Sequence, residues 1–406
     1  MSARVSIAAA AFGLTLALPV FASDVGYIYG RVWTVDEAFY EGQLRWGTEE
    51  SFWDDIFNAT KYKNENIEQV DAQVRERLSR RHWDGWDFFG NHDHDFDRLF
   101  AIRFGDMKRI HVRRGDDLVV EFRNGDYLRL RGGSNDVGAE ITVVDPKQGV
   151  HELKWNRIRT IEFKDTPAKL SHKLGEPIYG TVKFRQFDIT GRIQWDHDEC
   201  LTSDKLDGHT GNGKASIAFG DIASIRKTRR GARVMLRSGS ELFLSGTNDV
   251  NHQNRGVVVV VPGIGTVKVG WRDFDEVTFT PAPGTGPAYS EFAPGRELTG
   301  EVMTRDGRLG GRIVFDLDES RDFELLHGTS GDTEFLIPFR NIERIQPKGM
   351  WRSVVELRMG LAFDLEDSQD VTRKNDGLLV FTGGPKPRYI DWRDVTDVRF
   401  AEASPR

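Results

Sequence analysis

The feature that most constrains the fold is a nine-residue motif that the chain contains three times. WNRIRTIEF begins at Trp155, WRDFDEVTF at Trp271 and WRDVTDVRF at Trp392. A motif that recurs together with its surroundings indicates a tandem array, in which each repeat is one structural module. We therefore expect Trp155, Trp271 and Trp392 to anchor equivalent cores, because buried aromatic side chains dominate core energetics.

Other motifs recur in the same order around each copy. A second-strand motif reads GQLRW, GRIQW and GRIVF, and it ends at Trp46, Trp195 and Phe315. NDV or QDV begins at Asn135, Asn248 and Gln369, and an Arg precedes a Gly by two residues at Arg123, Arg237 and Arg358. These motifs predict unit 1 (27–164), unit 2 (178–280) and unit 3 (297–400), with linkers at 165–177 and 281–296 and a tail at 401–406.

Each unit also divides into two halves. IAFGDIASI, which begins at Ile217, matches VGWRDFDEV, which begins at Val269. Segments such as ARVMLRSGSELFLSG alternate apolar and polar residues around a Gly turn, as half-buried strands do. Strands followed by one helical turn and a last strand resemble the SH3-like or Sm-like small barrel, and that resemblance implies a fold only. The predicted fold is all-β, with three tandem repeat units, each of two SH3-like half-repeats, and one helical insertion in unit 1.

The insertion, at about 61–98, breaks the symmetry of the three units. Thr60 and Phe104 are 44 positions apart, whereas the corresponding interval in units 2 and 3 is nine. Within the insertion, Ile67, Val70, Val74 and Leu78 follow helical spacing, so we expect a helix that covers the side of unit 1.

An aromatic segment follows the predicted helix. Aromatic residues are enriched at interface hot spots, so this segment is the candidate partner-binding site. Its candidate residues are Trp83, Trp86, Phe88, Phe89, His92 and His94. The alternative interpretation is that these aromatic residues only attach the helix to the barrel.

Acidic residues recur at matching positions of the three units. Acidic pairs end at Glu50, Glu199 and Glu319, and a third acid follows at Asp54, Asp204 and Glu324. The favoured interpretation is that these acids pair with Arg123, Arg237 and Arg358, or cap the loop, because acid and Arg recur with the same period. The alternative is three sites for a hard cation such as calcium, which prefers several oxygen ligands.

Two aspartates of the insertion, Asp93 and Asp95, also match the start of a calcium loop. Arg98 and Phe104 stand where that loop requires Gly and Glu, which excludes an EF-hand and leaves a looser His and Asp metal site as an alternative.

Catalytic signatures are missing from the sequence. Cys200 occupies the position of Ser51 and Ser320, so the repeat requires only a small polar residue there. His151 begins HELKW, which lacks the second His of a zinc protease, and no G-x-S-x-G occurs. We therefore expect a protein that is not an enzyme, with an unrecognised enzyme as the third hypothesis.

The first 22 residues are typical of a bacterial signal peptide. One charge at Arg4 precedes an apolar run, and small residues favour cleavage near Ala22. Export to the periplasm or the medium is expected, and no later apolar run is long enough to span a membrane. The formal net charge of −7 argues against a nucleic-acid partner.

These observations predict an exported, non-catalytic binding or scaffold protein of the cell envelope. Its partner is expected to be another envelope or extracellular protein, engaged through the repeat surfaces and the insertion. The alternative is a carbohydrate-binding or divalent-cation-dependent module that uses the repeated acids or the Trp-rich insertion. Calcium is the one cofactor that this alternative implies.

Overall fold

The computed structural model describes residues 23–61, 65–83, 98–133 and 136–402. These residues form thirty antiparallel β-strands, one α-helix and several short 3₁₀ helices, so the all-β prediction is confirmed. No helix in these ranges has the length and apolar character needed to cross a membrane. The predicted signal segment and the last four residues lie outside the described residues.

Each predicted unit contains ten strands. In unit 1 they are β1 (Tyr29–Thr34), β2 (Phe39–Trp46), β3 (Ile56–Lys61), β4 (Arg98–Arg103), β5 (Met107–Val112), β6 (Leu118–Phe122), β7 (Tyr127–Arg131), β8 (Ile141–Asp145), β9 (Gly149–Leu153) and β10 (Ile158–Phe163). In unit 2 they are β11 (Tyr179–Phe184), β12 (Phe187–Trp195), β13 (Lys205–Thr210), β14 (Gly213–Ala218), β15 (Ile222–Thr228), β16 (Gly231–Leu236), β17 (Glu241–Leu244), β18 (Val257–Val261), β19 (Gly265–Val269) and β20 (Phe274–Phe279). In unit 3 they are β21 (Thr299–Thr304), β22 (Gly307–Val314), β23 (Leu325–Ser330), β24 (Thr333–Pro338), β25 (Ile342–Pro347), β26 (Arg352–Leu357), β27 (Ala362–Glu366), β28 (Leu378–Phe381), β29 (Arg388–Ile390) and β30 (Val395–Phe400).

The strands form where apolar residues alternate with polar ones. In β1, buried positions alternate with half-buried ones, because successive side chains of a strand point to opposite faces of the sheet. Val32, Val182 and Val302 hold the same place in the first strand of each unit, and all three are fully buried. The period-two pattern therefore selects which face of each strand enters the core.

The strand pairing in unit 1 follows the order β4-β3-β7-β6-β5-β10-β1-β2-β8-β9. The corresponding pairs occur in unit 3, for example β22 with β28 and β23 with β27. In unit 2, the β13–β14 hairpin is joined to β17 by the isolated bridge between His209 and Ser245.

The predicted half-repeats do not pair as separate barrels. In unit 2, β12 pairs with β18 of the other half, and β11 pairs with β20. No pairing among the described strands closes a barrel, so the SH3-like part of the prediction is not confirmed. Both halves contain the same kinds of strand, and periodicity determines the buried face of a strand without determining its partner.

The three units contact one another in pairs. Strand β19 of unit 2 pairs edge to edge with β24 of unit 3. Units 1 and 2 meet at a small cluster of Tyr27, Phe52, Cys200 and Leu201. Phe323 of unit 3 packs into the core of unit 1, where its ring lies 5.1 Å from that of Phe122.

Both predicted linkers are packed against unit 1. In the linker 281–296, Tyr289 and Phe292 are buried in the core of unit 1, and Tyr289 Oη donates to the carbonyl of Met107 at 2.8 Å. In the linker 165–177, Thr166 Oγ1 donates to the carbonyl of Tyr27 at 2.6 Å. The linkers therefore hold the units together as well as connecting them.

The insertion contains a 3₁₀ helix (Glu65–Gln69) and the helix α1 (Ala72–Trp83). Val70 and Leu78 are buried against Val314, Leu317 and Leu379, which belong to unit 3. The helix is present as predicted, but the expectation that it covers unit 1 is wrong. Helical spacing identifies the apolar face and contains no information about which unit that face meets.

Candidate functional site

Each unit places a glutamate beside a buried aspartate. The glutamate follows the second-strand aromatic residue by four positions, and the aspartate belongs to the NDV or QDV motif. The pairs are Glu50 with Asp136, Glu199 with Asp249, and Glu319 with Asp370. The aspartates were missed by sequence reasoning, although their recurrence in a repeated motif was a usable signal.

Backbone groups fix each of these aspartates in place. Asp136 Oδ2 accepts from the backbone N–H of Asn58 at 2.5 Å. Asp249 and Asp370 accept in the same way from Asp207 and His327, both at 2.6 Å. The three carboxylates are therefore held by the fold at equivalent positions.

The paired glutamates are strongly perturbed. Burial, reinforced by the neighbouring aspartate, raises the pKa of Glu50 and of Glu319 well above the ordinary value. The same causes raise the pKa of Glu199 to about 9. Oε2 of Glu199 and Oε2 of Glu319 are buried and have no hydrogen-bond partner within the described part of the chain. Adjacent buried carboxyl groups require either a shared proton or a cation to be stable.

The third repeated acid closes a loop in each unit. Asp204 Oδ2 accepts from the backbone N–H groups of Cys200 and Leu201, and Glu324 Oε2 accepts from those of Ser320 and Arg321. In unit 1 this role belongs to Asp55 and not to Asp54 as predicted. Counting nine positions from Trp46, Trp195 and Phe315 identifies the correct residue in all three units.

The loop-closing acids pair with cations of another unit. Asp55 Oδ1 accepts from Nη1 of Arg192, a unit 2 residue, at 2.5 Å, and Asp54 also pairs with Arg192. Arg45 of unit 1 forms a two-point contact with Asp204 at 2.9 and 2.8 Å.

The same arrangement joins unit 1 to unit 3. Lys61 Nζ lies 3.0 Å from Glu324 and 2.9 Å from Asp318. These buried ion pairs connect unit 1 to both of the other units.

The predicted pairing of the acids with the repeated arginines is wrong. Arg237 Nε donates to the carbonyl of Gly220 at 3.0 Å, and Arg358 Nε donates to the carbonyl of Arg340 at 3.0 Å. Arg123 donates to the carbonyl of Tyr289 and lies over its ring. The arginines recur because the repeated turn presents carbonyl groups to them, and the acids recur for a separate reason.

The junction of the three units contains a polar crevice. One cavity of about 250 Å³ is lined by Lys61, Lys268, Glu319, His327 and Asp370 among others. A smaller cavity of about 80 Å³ lies beside it against Glu49, Glu50 and His197.

The charged groups that line the crevice shift one another's pKa values. Burial alone would raise the pKa of Glu334, but contacts with His327 and Lys268 outweigh burial and lower that pKa to about 2. Burial and the positive charges of Lys268 and Arg255 lower the pKa of His197 to about 4. The crevice is therefore the main concentration of perturbed titratable groups in the described structure, which is typical of a functional site.

Among the residues that the structure describes, two sets of carboxylates are close enough to share an ion. Each set offers oxygen atoms that all lie within 4.8 Å of one another. The sets are Glu49, Glu50 and Asp136 in unit 1, and Asp316, Glu319 and Asp370 in unit 3. Of the metal candidates predicted from the sequence, Glu50 and Glu319 fall in these sets. Asp54, Asp204 and Glu324 are in ion pairs.

The repeated tryptophans lie at the cores. Trp155 and Trp392 are buried, whereas Trp271 is half-buried at the edge of its core. Each packs on the second-strand aromatic of its own unit, with ring centroids 5.8 Å apart for Trp46 and Trp155 and 5.5 Å for Phe315 and Trp392. These contacts explain why the two motifs recur together.

Most candidates of the insertion lie outside the described residues. This applies to Trp86, Phe88, Phe89, His92, His94, Asp93 and Asp95. Trp83 is described only as the last residue of α1. Their proposed role therefore stays a prediction.

Cys200 is buried at the contact between units 1 and 2. Its Sγ lies 3.5 Å from Oγ of Ser51, the residue at the same position in unit 1. Burial raises the pKa of the thiol to about 12, although the nearby Arg45 opposes that shift. A thiol in this environment is a packing residue.

Comparison with protein-family models, with curated proteins and with solved structures finds no match for this chain.

Proposed function

We propose that the chain is an exported, non-catalytic binding or scaffold protein of the cell envelope, which engages another protein. The observation that supports this proposal is the anchoring of the insertion across two units. The insertion leaves unit 1 after β3 and its helix packs on unit 3.

The proposal treats the three units as copies of one design. Ten strands with corresponding pairs in each unit support a tandem repeat. Within unit 1, the order β10-β1-β2-β8-β9, with the 3₁₀ turn Trp155–Arg157 before β10, supports the resemblance to SH3-like modules. A repeated frame of this kind provides an extended surface, and loops added to it are common sites of binding.

The described residues on both sides of the aromatic segment are held by contacts with the rest of the protein. At its base, Lys61 of β3 pairs in register with Arg98 of β4, and Lys61 is buried. In addition to the contacts of its buried apolar face, α1 forms an ion pair with unit 3, in which Nη2 of Arg77 lies 2.9 Å from Oδ2 of Asp391. In the sequence, the aromatic residues predicted to bind a partner follow directly after this anchored helix.

The test changes the aromatic segment and leaves the helix intact. A triple variant, Trp86→Ser with Phe88→Ser and Phe89→Ser, should fold as the wild type does and lose the proteins that the wild type captures from an envelope extract. The matched control replaces exposed aromatic residues elsewhere, Tyr127→Ser and Phe243→Ser, which are 63% and 48% exposed. If the triple variant and the control capture the same proteins as the wild type, binding through the insertion is refuted.

A deletion tests the role of the insertion as a whole. In unit 2 the corresponding hairpin closes with two residues between Thr210 and Gly213. Replacing residues 62–97 by Gly-Asn would copy this turn while keeping Lys61 and its ion pairs. Because the deletion uncovers Leu317 and Leu379, we expect it to fold with reduced stability and without partner capture. Unchanged capture by this variant would locate binding on the repeat frame.

The cation-dependent alternative has an observation of its own. Among the described residues, three carboxylates lie within 4.8 Å of one another in unit 1 and three do so in unit 3.

A further inference from the structure

We propose that two copies of this chain associate by pairing strand β9 of one copy with strand β14 of the other. Both strands lie at the edge of a sheet, and within the described residues each forms a ladder with one strand only, β9 with β8 and β14 with β13. An exposed edge strand presents backbone N–H and C=O groups on which another chain can pair. This inference does not depend on the proposed partner binding of the insertion.

The proposed pairing has a precedent inside the chain. Strand β19 of unit 2 and strand β24 of unit 3 pair edge to edge, with Lys268 directly opposite Glu334. Nζ of Lys268 lies 3.4 Å from Oε2 of Glu334. The edges of these two kinds of hairpin therefore fit each other.

Strand β9 is the counterpart of β19. The β8–β9 hairpin pairs Asp145 with Gly149 across a three-residue turn, and the β18–β19 hairpin pairs Val261 with Gly265 across a turn of the same length. A Cβ at Gly265 would collide with the carbonyl of Leu336 in β24, whereas a Cβ at Gly149 would meet no described atom within 4 Å. Strand β9 therefore has the glycine that close pairing requires, and the space beside it is open.

Strand β14 is the counterpart of β24. The β13–β14 hairpin pairs Thr210 with Gly213 across a two-residue turn, and the β23–β24 hairpin pairs Ser330 with Thr333 in the same way. Every residue of β14 is exposed or half-buried. A Cβ at Gly213 would also meet no described atom within 4 Å. The outer edge of β14 is therefore open to another strand.

The charges of the two free edges are complementary. At the position of Lys268, strand β9 has Glu152, and at the position of Glu334, strand β14 has Lys214. Both Glu152 and Lys214 are exposed. Pairing in the register of β19 and β24 would again place opposite charges directly across from each other, with the signs exchanged. Such a pair stabilises neighbouring strands, whereas like charges at these positions destabilise them.

The other edges of the same two kinds do not offer this complementarity. Strand β4 of unit 1 corresponds to β24 and has Leu99 at the position of Glu334. Strand β29 of unit 3 corresponds to β19 and has Tyr389 at the position of Lys268, where its ring packs in the cluster that contains α1. Charge therefore favours the pairing of β9 with β14.

The internal register fixes the geometry of the proposed contact. It places Val150 of one copy opposite Ser216 of the other. Lys154 stands at the position of Gly270, where a Cβ would collide with the turn before β24, so the pairing is expected to end at Leu153. Since each copy has both a β9 edge and a β14 edge, repeated pairing is head-to-tail and builds a ring or a filament.

The first experiment measures self-association of the full mature chain by sedimentation velocity, from about 1 µM to about 500 µM. We expect the average mass of the wild type to rise with concentration. Glu152→Lys alone and Lys214→Glu alone place like charges opposite each other, so each should weaken association by about tenfold or more. The double variant has Lys on β9 and Glu on β14, which is the arrangement of the internal pair, and it should restore association.

Matched controls change the same charges away from both edges. Glu343→Lys in β25 and Lys169→Glu in the linker 165–177 alter exposed residues, and they change the net charge by the same amounts as the two test variants. Both controls should associate as the wild type does. Circular dichroism confirms that every variant is folded.

Cross-linking tests the register. In a Cys200→Ser background, chains with Val150→Cys are mixed with chains with Ser216→Cys under oxidising conditions. Directly opposed residues of antiparallel strands have Cα atoms about 4.5 to 5.5 Å apart, which is within the range that a disulfide spans. The mixture should therefore give a disulfide-linked dimer, and neither variant should give one alone.

Three results would overturn the proposal. One is a monomeric wild type at every concentration. Another is association that neither single charge reversal weakens, or that the double variant fails to restore. The third is a disulfide-linked dimer of the Val150→Cys chain alone with none formed in the mixture, which would assign the contact to two β9 edges.

Discussion

Replacing Arg192 by Met should destabilise the protein far more than the same change at Arg312. Both residues follow the first Gly of the repeated second-strand motif, so the position in the fold is the same. Arg192 is 7% exposed, pairs with Asp54 and Asp55, and lies 4.1 Å above the ring of Phe52. Arg312 has a side chain that is 30% exposed, and its contact with Glu297 is 3.6 Å long.

The expected magnitudes follow from burial. Removing one partner of a buried ion pair leaves an uncompensated charge, which lowers the free energy of unfolding by about 3 to 5 kcal/mol. Removing one partner of a half-exposed pair lowers it by about 0 to 1 kcal/mol. Urea unfolding, followed by tryptophan fluorescence at pH 7.5, measures both variants on one scale. A difference of less than about 1 kcal/mol between Arg192→Met and Arg312→Met would refute the importance of this contact between units 1 and 2.

The same variant has a predictable pH dependence. Burial raises the pKa of Asp55, and Arg192 acts in the opposite direction. Without Arg192 the folded-state pKa of Asp55 therefore rises further above the unfolded value. Stability associated with such a group is present below the unfolded pKa and is lost as pH rises through the folded pKa. The deficit of Arg192→Met should accordingly be smaller at pH 5 than at pH 7.5, and an equal deficit at both would contradict this explanation.

Three further outcomes are expected. Trp392→Ala should lower the free energy of unfolding, measured in guanidinium, by about 3 to 5 kcal/mol. Trp271→Ala should lower it less, because Trp271 is only half-buried. Equal losses in the two variants would contradict the burial argument. Cys200 is 1% exposed and its pKa is raised to about 12, so a thiol reagent should label it only in denaturant; rapid labelling of the native protein would exclude the packing role. The pKa of Glu199 is raised from 4.5 to about 9, so the stability that this group contributes is lost as pH rises from the unfolded pKa through the folded pKa. Between pH 4.5 and 7, urea unfolding should show the wild type losing up to about 3 kcal/mol of unfolding free energy relative to Glu199→Gln. Parallel pH dependence of the two proteins would contradict the assignment.

The all-β class was predictable because alternating apolar and polar residues mark the strands. Each strand of unit 2 or unit 3 is marked by alternating burial, and Val182 and Val302 show that equivalent residues enter equivalent cores. The strand partners were not predictable in the same way. Pairing β12 with β18 satisfies the same hydrophobic pattern as a pairing within one half would, so the pattern alone does not choose between them.

The site was predictable only in part. Recurrence selected Glu50, Glu199 and Glu319, and the structure places each of them beside a buried aspartate. It also selected Arg123, Arg237 and Arg358, and the shared period suggested a contact that the structure does not contain. A shared period shows that two positions both matter to the module, and it contains no information about the distance between them.

Contacts between units were the least predictable part. Arg192, Arg45 and Lys61 meet acids more than one hundred residues away in the sequence. Lys61 also has no equivalent basic residue in the other units, where Gly211 and Gly331 follow the corresponding strand. Such contacts depend on how the units are arranged, and no motif within one unit records that arrangement.

Under the proposed three-unit repeat, each unit is a control for the other two. Residues that agree in all three units, such as the glutamate four positions after the second-strand aromatic, are explained by the module itself. Residues that differ between units at one structural position require another explanation. The clearest case is the residue whose backbone N–H donates to Asp196 in unit 2 or to Asp316 in unit 3. Arg255 neutralises the acids of unit 2, whereas Asp376 adds a charge to those of unit 3. Since the backbone contact is the same in both units, the fold does not dictate this difference.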